Sequence, residues 1–237
     1  MIYSPWVSKV YRIKERGWLL ISTSQHQICP LCNGVYTSDF FQNSDRNFLR
    51  CQTCLLVFVP PKHFLSAESE KERYDQHQNS PDDPRYRRFL NRIFQPLKGR
   101  LKPASFGLDF GSGPGPTLSV MFQEEGHSMA IYDLFYADNP MVFEWEYDFI
   151  TTTETIEHLR DPKEDLDRLW GCLKPGGLLG VMTSFIEESK PFADWRYKND
   201  LTHICFYTKS TFSWLATHWQ TTADFVDDNV VFFLKTS

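Results

Sequence analysis

The stretch GLDFGSGPG, residues 107–115, decides the fold of this protein. It places four glycines in and around a turn that follows a short apolar run with one aspartate. Glycine removes the side chains that would keep a ligand away from the backbone. A strand that leads into a glycine-rich turn and then a helix binds nucleotides at the carboxyl end of an open α/β sheet. The stretch therefore predicts a nucleotide-like cofactor bound against its backbone.

The spacing of the glycines indicates which cofactor this is. A dinucleotide fingerprint, G-x-G-x-x-G, fits poorly, because counting from Gly111 puts Gly113 in place but a proline at 116. The alternative pattern D-x-G-x-G begins at Asp109, whose carboxylate would repel a pyrophosphate and attract a cationic amino-acid tail. S-adenosylmethionine carries such a tail. We therefore predict S-adenosylmethionine as the cofactor, and a nicotinamide oxidoreductase is disfavoured.

Strands and helices alternate after the glycine-rich stretch, which is typical of a doubly wound parallel sheet. Before that stretch, an amphipathic pattern predicts a helix that starts at Pro84, after a cap from Asp82 or Asp83, and ends near Pro96. Asp161 is expected to cap the second helix of the alternating region. The predicted helices of that region cover 116–125, 162–173 and 210–219, and two strands fall within 222–235.

Three later segments extend the pattern, and they are SMAIYD, which ends at Asp133, YDFITTTETIEHLRDP at 147–162, and LKPGGLLGVMT at 173–183. With these segments in this order, the chain resembles the class I S-adenosylmethionine-dependent methyltransferases of type 11 and type 23 over roughly residues 74–220. The resemblance implies a Rossmann-like sheet and a contact between Asp133 and the ribose hydroxyls of the cofactor. The cofactor contacts that we expect are Asp109, Gly111, Ser112, Gly113, Asp133, Leu134, Thr153 and Glu154.

The interval between the second and fourth strands departs from the family. Only thirteen residues separate Asp133 from Tyr147, whereas the family places a helix, a third strand and another helix there. We therefore predict a truncated sheet, in which the third strand is absent or reduced to a loop through DNPMVFEWE. The second strand would then lie near an edge of the sheet.

Four of the six cysteines form two C-x-x-C pairs, at 29–32 and 51–54, with eighteen residues between them. This spacing leaves room for a short β-hairpin and is typical of a zinc ribbon with a core of its own, whose structural zinc is held by Cys29, Cys32, Cys51 and Cys54. The alternatives are four reduced cysteines packed as small hydrophobic residues, or disulfides. Cys172 and Cys205 lack partners and are expected in the core.

The chain is predicted to have four segments, namely an extension at 1–27, the zinc ribbon at 28–60, a linker or lid at 61–83, and the methyltransferase domain at 84–237. The ribbon, ERYDQHQN and WRYKNDLTHICFYTKSTFSWL together resemble an uncharacterised bacterial subgroup that fuses a ribbon to this fold. Tyr74, His77 and Asn79 are candidates for a lid over the cofactor, and a plain linker is the alternative.

Methyl transfer depends mainly on position, because holding the nucleophile and the methyl group together lowers the barrier by about 7 to 11 kcal/mol. A base is needed only when the acceptor must first lose a proton. His203 is the first candidate for that base, and Asp200 is close enough in the sequence to orient its imidazole. A structural role for His203 is the alternative. His158 is a weaker catalytic candidate.

The net charge of −5 argues against a general binder of polyanions, although residues 85–102 hold seven Lys or Arg and no acid. We therefore expect an unidentified small molecule as the methyl acceptor. The alternatives are an RNA methyltransferase that uses the ribbon and the basic helix, and a non-enzymatic S-adenosylmethionine-binding module. No apolar run is long enough to cross a bilayer or to form a signal peptide, so the protein is expected to be soluble and cytoplasmic.

Overall fold

The structure is a computed structural model that describes residues 27–76, 79–187 and 189–236. Except for Gln27, the predicted N-terminal extension lies outside these residues, and so does His77, one of the three lid candidates. No helix of the described part is long and apolar enough to span a membrane.

Ten strands and five α-helices make up the regular structure of the described residues. The helices are α1 (Ala67–Tyr74), α2 (Pro84–Lys98), α3 (Thr117–Glu124), α4 (Pro162–Gly171) and α5 (Lys209–His218). The strands are β1 (Thr37–Gln42), β2 (Asn47–Cys51), β3 (Val57–Phe58), β4 (Phe106–Phe110), β5 (Ser128–Tyr132), β6 (Tyr147–Thr153), β7 (Leu173–Met182), β8 (Cys205–Phe206), β9 (Ala223–Asp227) and β10 (Val230–Leu234).

The larger sheet has six strands in the order β5-β4-β6-β7-β10-β9. Strands β5, β4, β6 and β7 are parallel, and β10 runs antiparallel to both of its neighbours. A short 3-10 helix, Pro140–Glu144, stands between β5 and β6 where the family has its third strand. The predicted Rossmann-like sheet without its third strand is thus confirmed, and β5 forms one edge of the sheet.

The helices agree with the predicted ones in position, and two details differ. Helix α2 continues through Pro96 to Lys98, whereas it was expected to end near that proline. The cap of α2 is Asp83, whose side chain accepts a hydrogen bond from the Arg85 amide. Asp161 occupies the N-cap position of α4 as predicted, but its side chain makes no capping hydrogen bond.

Helix α1 was not predicted, and it lies inside the segment interpreted as a linker or lid. It has no buried residue, so it lacks the apolar stripe from which helices are recognised in a sequence. Its local signals are the Ser66 side chain, which accepts a hydrogen bond from the Ser69 amide, and an ion pair between Lys71 and Asp75 one turn apart.

The smaller sheet has the order β1-β2-β3-β8 and is antiparallel. The predicted hairpin between the cysteine pairs is confirmed as β1 and β2. The fourth strand of the smaller sheet, β8, comes from much later in the chain. It pairs with β3, so that Phe206 lies opposite Val57 and Cys205 lies opposite Phe58. The Val59 amide extends this pairing by donating to the Ile204 carbonyl at 2.9 Å.

The smaller sheet shares its core with the larger one. One cluster of buried residues runs from Cys29 and Phe48 through Phe206 to Ile150 and Leu179 in the larger sheet. Within it, the ring centroids of Phe48 and Phe206 lie 5.7 Å apart. The expectation of a separate ribbon core is therefore wrong, because β8 joins the ribbon's sheet. The four segment boundaries stay a prediction.

A second cluster of buried residues lies on the other side of the larger sheet. Helices α2 and α3 cover that face and bury Ile93, Phe94 and Phe122 against it. Within the cluster, the ring centroids of Phe94 and Phe122 lie 4.8 Å apart. The sheet is therefore held between two apolar layers, and its strand ends are left free to form a site.

Candidate functional site

A cavity of about 520 Å³ opens at the carboxyl ends of β4, β5 and β6. This is the place where open α/β sheets bind their ligands. We call its side at the 111–113 turn the glycine end, and its side at His158 and His203 the histidine end. The cavity is lined by every residue predicted to bind the cofactor or to act in catalysis, namely Asp109, Gly111, Ser112, Gly113, Asp133, Leu134, Thr153, Glu154, His158, Asp200 and His203.

Two glycines shape the turn at the glycine end for different reasons. Both have a left-handed backbone, with φ of +78° at Gly111 and +64° at Gly113. A Cβ at Gly111 would lie 2.2 Å from the Thr155 side chain, so this glycine is required by packing. A Cβ at Gly113 would meet nothing within 4 Å. The backbone at Gly113 therefore faces open space in which a ligand can approach it.

Asp133 follows β5 and is held by three backbone amides. Its Oδ2 atom accepts a hydrogen bond from the Gly113 amide at 2.9 Å, and its Oδ1 atom accepts from the amides of Phe135 and Tyr136 at 2.9 and 3.2 Å. Leu134, beside it, is 65% exposed and offers an apolar surface at the cavity edge. The Ser112 hydroxyl in the facing turn is buried and has no hydrogen-bond partner among the described residues.

Asp109 lies deeper in the wall at the glycine end. The carboxylate accepts hydrogen bonds from the Thr151 hydroxyl at 2.9 Å and from the Ser119 hydroxyl at 3.2 Å. Burial raises the pKa of Asp109 from its ordinary value of 3.8 to about 6. The carboxylate is thus a buried negative charge with no cation paired to it among the described residues.

Glu154 lies where β6 ends, between the two ends of the cavity. Its backbone is left-handed, with φ of +49°, which is costly for a residue with a side chain. Its Oε1 atom is buried without a partner among the described residues, while Oε2 lies 3.2 Å from the Tyr197 hydroxyl oxygen. Burial, together with the charge of Glu157, raises the pKa of Glu154 to about 8.

The two histidines face each other with their ring centroids 4.7 Å apart. His203 Nδ1 lies 2.8 Å from the Tyr197 carbonyl, and His158 Nδ1 lies 3.1 Å from the Thr202 carbonyl. Because a carbonyl only accepts, each Nδ1 donates, and each neutral ring keeps its lone pair on Nε2. Burial lowers the pKa of His203, so this ring is neutral at pH 7.

Asp200 does not orient His203 as predicted. Its Oδ1 atom accepts from Arg73 Nε at 3.0 Å and from the hydroxyl of Thr202 at 2.8 Å, and the Tyr197 carbonyl takes its expected place at the imidazole. Although burial opposes it, the hydrogen bonds from Thr202 hold the pKa of Asp200 at about 2. Asp200 therefore shapes the loop that carries His203.

Glu157 and its partners were missed by the sequence analysis. The side chain is fully buried, its Oε1 atom accepts from the Tyr197 hydroxyl, and its Oε2 atom accepts from the Thr183 hydroxyl at 2.9 Å. The available signal was the pattern E-x-x-E-H at 154–158, in which two acids and a histidine follow a strand within five residues. Acids at such a turn project toward the same strand end.

Arg46, in the turn between β1 and β2, was also missed. Its buried guanidinium donates to the carbonyls of His203 at 2.9 Å, Asp200 at 2.8 Å, Leu201 at 3.3 Å, and Lys198. A single side chain from the cysteine-rich unit thus holds the whole loop that carries His203. No sequence pattern links position 46 to residues some 150 positions away, so this contact had no local signal.

Of the lid candidates that the structure describes, Tyr74 lies at the histidine end and Asn79 lies beside the glycine end. The Tyr74 ring lies 5.2 Å from the His158 ring, and its hydroxyl donates to Glu70 at 2.8 Å. The Asn79 carbonyl fits against Gly115, where a Cβ would come within 1.9 Å of it. Both side chains line the cavity, and opening of this segment as a lid stays a prediction.

The four predicted zinc ligands lie together. The sulfur atoms of Cys29 and Cys54 are 3.5 Å apart, those of Cys32 and Cys51 are 3.4 Å apart, and all four lie within 4.8 Å of one another. The amides of Gly34 and Thr53 point at two of the sulfurs, each at 3.4 Å. Cys172 and Cys205 are both buried, as predicted. The cluster has the donor set and the closeness of a tetrahedral thiolate site.

Comparisons with known proteins find one family model and several distantly similar solved structures. A family model described as a methyltransferase domain matches residues 76–220. No curated protein matches the sequence. One similar structure is the 1,6-didemethyltoxoflavin-N1-methyltransferase of Burkholderia thailandensis, solved with 1,6-didemethyltoxoflavin and S-adenosylhomocysteine. It is 16% identical to this chain with a TM-score of 0.49, and the match covers 84% of this chain and 100% of that one. An O-methyltransferase family protein from Burkholderia thailandensis is 14% identical with a TM-score of 0.48, and that match covers 70% and 61%.

These structural similarities are too low to transfer a substrate to this protein. The family model, in contrast, spans more than half of the chain and contains both ends of the cavity. The chain therefore belongs to the family of class I S-adenosylmethionine-dependent methyltransferases.

Proposed function

We propose that this protein transfers a methyl group from S-adenosylmethionine to a small-molecule acceptor. The observation that carries the proposal is the single cavity in which the predicted cofactor residues lie at one end and two histidines at the other. Its volume of about 520 Å³ is within the range of small-ligand sites. The cofactor supplies an activated methyl group on its sulfonium, so the protein has mainly to position the two reactants.

The glycine end has the groups needed to hold the cofactor. The open face of Gly113 admits the ligand against the backbone, and the unpartnered Ser112 hydroxyl is a free hydrogen-bonding group. Asp133 would accept hydrogen bonds from the ribose hydroxyls. Asp109 would attract the cationic amino-acid part, since its buried charge has no other cation. Leu134, Thr153 and Glu154 complete the wall.

The histidine end would take the acceptor. His203 and His158 line the cavity there, and each keeps a ring nitrogen free of the backbone bond that fixes it. His203 is the first candidate to take a proton from an acceptor that must lose one. Asp200 acts through the loop conformation and not by contact with that ring.

The basic helix supports a small molecule over RNA as the acceptor. Five of the seven basic residues at 85–102 are paired with acids, Arg92 with Asp227 at 2.8 Å and Arg100 with Asp224 at 2.6 Å among them. These pairs leave less free positive charge for phosphates than the sequence suggested. We propose further that the four clustered cysteines bind one structural zinc ion, which would fix the ribbon from which Arg46 reaches the histidine end.

The test is calorimetric titration of the full chain with S-adenosylmethionine. We expect binding in the micromolar range, and we expect Asp133→Ala to weaken it by about 1 to 3 kcal/mol through loss of charged hydrogen bonds. Asp138→Ala, an exposed acid in the same loop that does not line the cavity, is the matched control. Binding of NADH in place of S-adenosylmethionine would refute the proposal.

A second step separates an enzyme from a binding module. Metabolite and RNA pools incubated with the protein and methyl-labelled cofactor should yield a labelled small molecule. Label in RNA would support the RNA methyltransferase alternative. Cofactor binding without any labelled product would support the non-enzymatic alternative.

A further inference from the structure

Glu157, His158 and His203 form a second cluster of metal-binding side chains, separate from the cysteines. One ligand atom from each of the three lies within 4.8 Å of the other two. His158 Nε2 lies 4.0 Å from Glu157 Oε1. The cluster lines the cavity at its histidine end, through His158 and His203. It is therefore placed where the acceptor would lie.

Both histidines are held in the form that binds metals. Each uses Nδ1 to donate to a backbone carbonyl, at 2.8 Å for His203 and 3.1 Å for His158, which leaves the Nε2 lone pair free. Metal-bound histidines in proteins are oriented in this manner by a carbonyl or carboxylate behind the ring.

The carboxylate of the cluster is also held in place. Tyr197 and Thr183 donate to the two oxygens of Glu157, and the Tyr197 hydroxyl oxygen also lies 3.2 Å from Glu154 Oε2. Neither acid forms a salt bridge with a lysine or arginine among the described residues. The buried Glu157 carboxylate has no such partner, which is unfavourable, so the arrangement favours a positive charge in the cavity beside it.

We propose that Glu157, His158 and His203 bind one divalent first-row metal ion, of which manganese and zinc suit this mixture of imidazole and carboxylate. Three protein ligands leave coordination positions open. Such an ion would accept an oxygen of the methyl acceptor, and so the acceptor would be a molecule with a hydroxyl group. This last step rests on the proposed methyltransferase function, whereas metal binding does not.

The ion would change how the acceptor is activated. The acceptor hydroxyl, once bound to the ion, loses its proton to water because the positive charge lowers its pKa. Its oxygen then forms a bond to the methyl carbon as the carbon–sulfur bond breaks, and the sulfonium becomes the thioether of S-adenosylhomocysteine. His203 is then a metal ligand and not the base, so loss of activity in His203→Ala alone does not distinguish the two roles.

The experiment is a titration of the full chain with Mn²⁺, in which the concentration of free ion is measured by electron paramagnetic resonance. The cysteine-bound zinc is left in place. We expect one Mn²⁺ per chain and binding at least tenfold weaker in His158→Ala and in Glu157→Gln. His218→Ala is the matched control, since that histidine pairs with Asp167 outside the cavity. The control should bind Mn²⁺ as the unmodified protein does.

Elemental analysis and cofactor titration complete the test. A second equivalent of zinc, lost in the same variants, would support the proposal equally. Absence of Mn²⁺ binding together with one zinc per chain would overturn it, and so would unchanged Mn²⁺ binding in the folded variants. Glu157→Gln keeps the size of the side chain and decides the matter if His158→Ala fails to fold. A separate titration with S-adenosylmethionine shows whether the proposed methyltransferase function fails, independently of the result for the metal.

Discussion

The two ends of the cavity are built in different ways. The glycine end comes from short segments that each follow a strand of the larger sheet, and its contacts are mostly to backbone amides, such as those from Gly113 and Phe135 to Asp133. The histidine end is assembled from side chains far apart in the sequence, with Arg46 and Tyr197 as its supports. A backbone site is determined by a local motif, whereas a side-chain site depends on the packing of the whole chain.

The cysteine-rich unit belongs to the histidine end. Strand β3 pairs with β8 directly after His203, and the Ile204 amide donates to the Glu157 carbonyl at 2.8 Å. Damage to this unit should therefore impair the histidine end before the glycine end. Four predictions test that difference, from the largest expected effect to the smallest.

Removal of the proposed zinc is expected to have the largest effect. Cys54→Ser should release the metal and lower the free energy of unfolding of the whole chain by more than about 4 kcal/mol, because the ribbon and the larger sheet share one core. Calorimetric melting and elemental analysis measure this. Cys172→Ser, a buried cysteine outside the cluster, is the control and should keep its zinc. Loss of zinc without any change in melting would show that the shared core does not couple the two units.

Arg46→Ala should come next. Four carbonyls would lose a buried charged donor, so we expect about 2 to 4 kcal/mol lower stability and a loosened loop at His203. The affinity for S-adenosylmethionine should stay within about twofold, since the glycine end makes no contact with Arg46. Melting and cofactor calorimetry measure the two effects. Arg85→Ala, on an exposed arginine, is the control, and a matching loss of cofactor affinity in Arg46→Ala would contradict the comparison.

Alanine at the two glycines of the turn should separate packing from ligand binding. Gly111→Ala places a Cβ 2.2 Å from Thr155 at a left-handed backbone, and we expect about 2 to 3 kcal/mol lower stability. Gly113→Ala meets no atom, so its stability should fall by only about 1 kcal/mol. Its cofactor affinity should fall by about tenfold, because the methyl group fills the open space. Equal cofactor affinity in Gly113→Ala and the unmodified protein would refute a ligand there.

The smallest effect concerns pH and Asp109. Its pKa is raised by burial to about 6, so the native state holds this proton more tightly than the unfolded chain, and ionisation lowers stability as the pH rises from about 4 to 6. A cationic ligand bound beside Asp109 would stabilise the ionised carboxylate and so offset the free energy that its ionisation costs. We therefore expect the affinity for S-adenosylmethionine to fall by up to about tenfold as the pH is lowered from 7 to 5.

Calorimetry of Asp109→Asn provides the control for that pH dependence. The variant should bind more weakly and lose the change between pH 5 and 7. Glu154, whose pKa is raised to about 8, lines the same cavity and sets the remaining dependence. A pH profile that Asp109→Asn leaves unaltered would assign the effect to Glu154.

The sequence by itself determined the sheet, the glycine-rich turn and the cysteine cluster. Each depends on residues close together in the chain: the turn at Gly111 and Gly113, the alternation of strands and helices, and the spacing of two C-x-x-C pairs. The missing third strand could also be predicted, because thirteen residues cannot hold a helix, a strand and another helix. Local patterns suffice where backbone geometry or ligand spacing fixes the structure.

Only the tertiary structure decided how the histidine end is built. It replaced Asp200 with the Tyr197 carbonyl as the partner of His203, brought Arg46 onto the same loop, and merged the ribbon with the main core through β8. These contacts join residues up to about 150 positions apart, and each is made by a single side chain or a two-residue strand. A contact of either kind leaves no periodic pattern in the sequence. Its stabilising free energy comes from packing and from buried hydrogen bonds that exist only after the chain has folded.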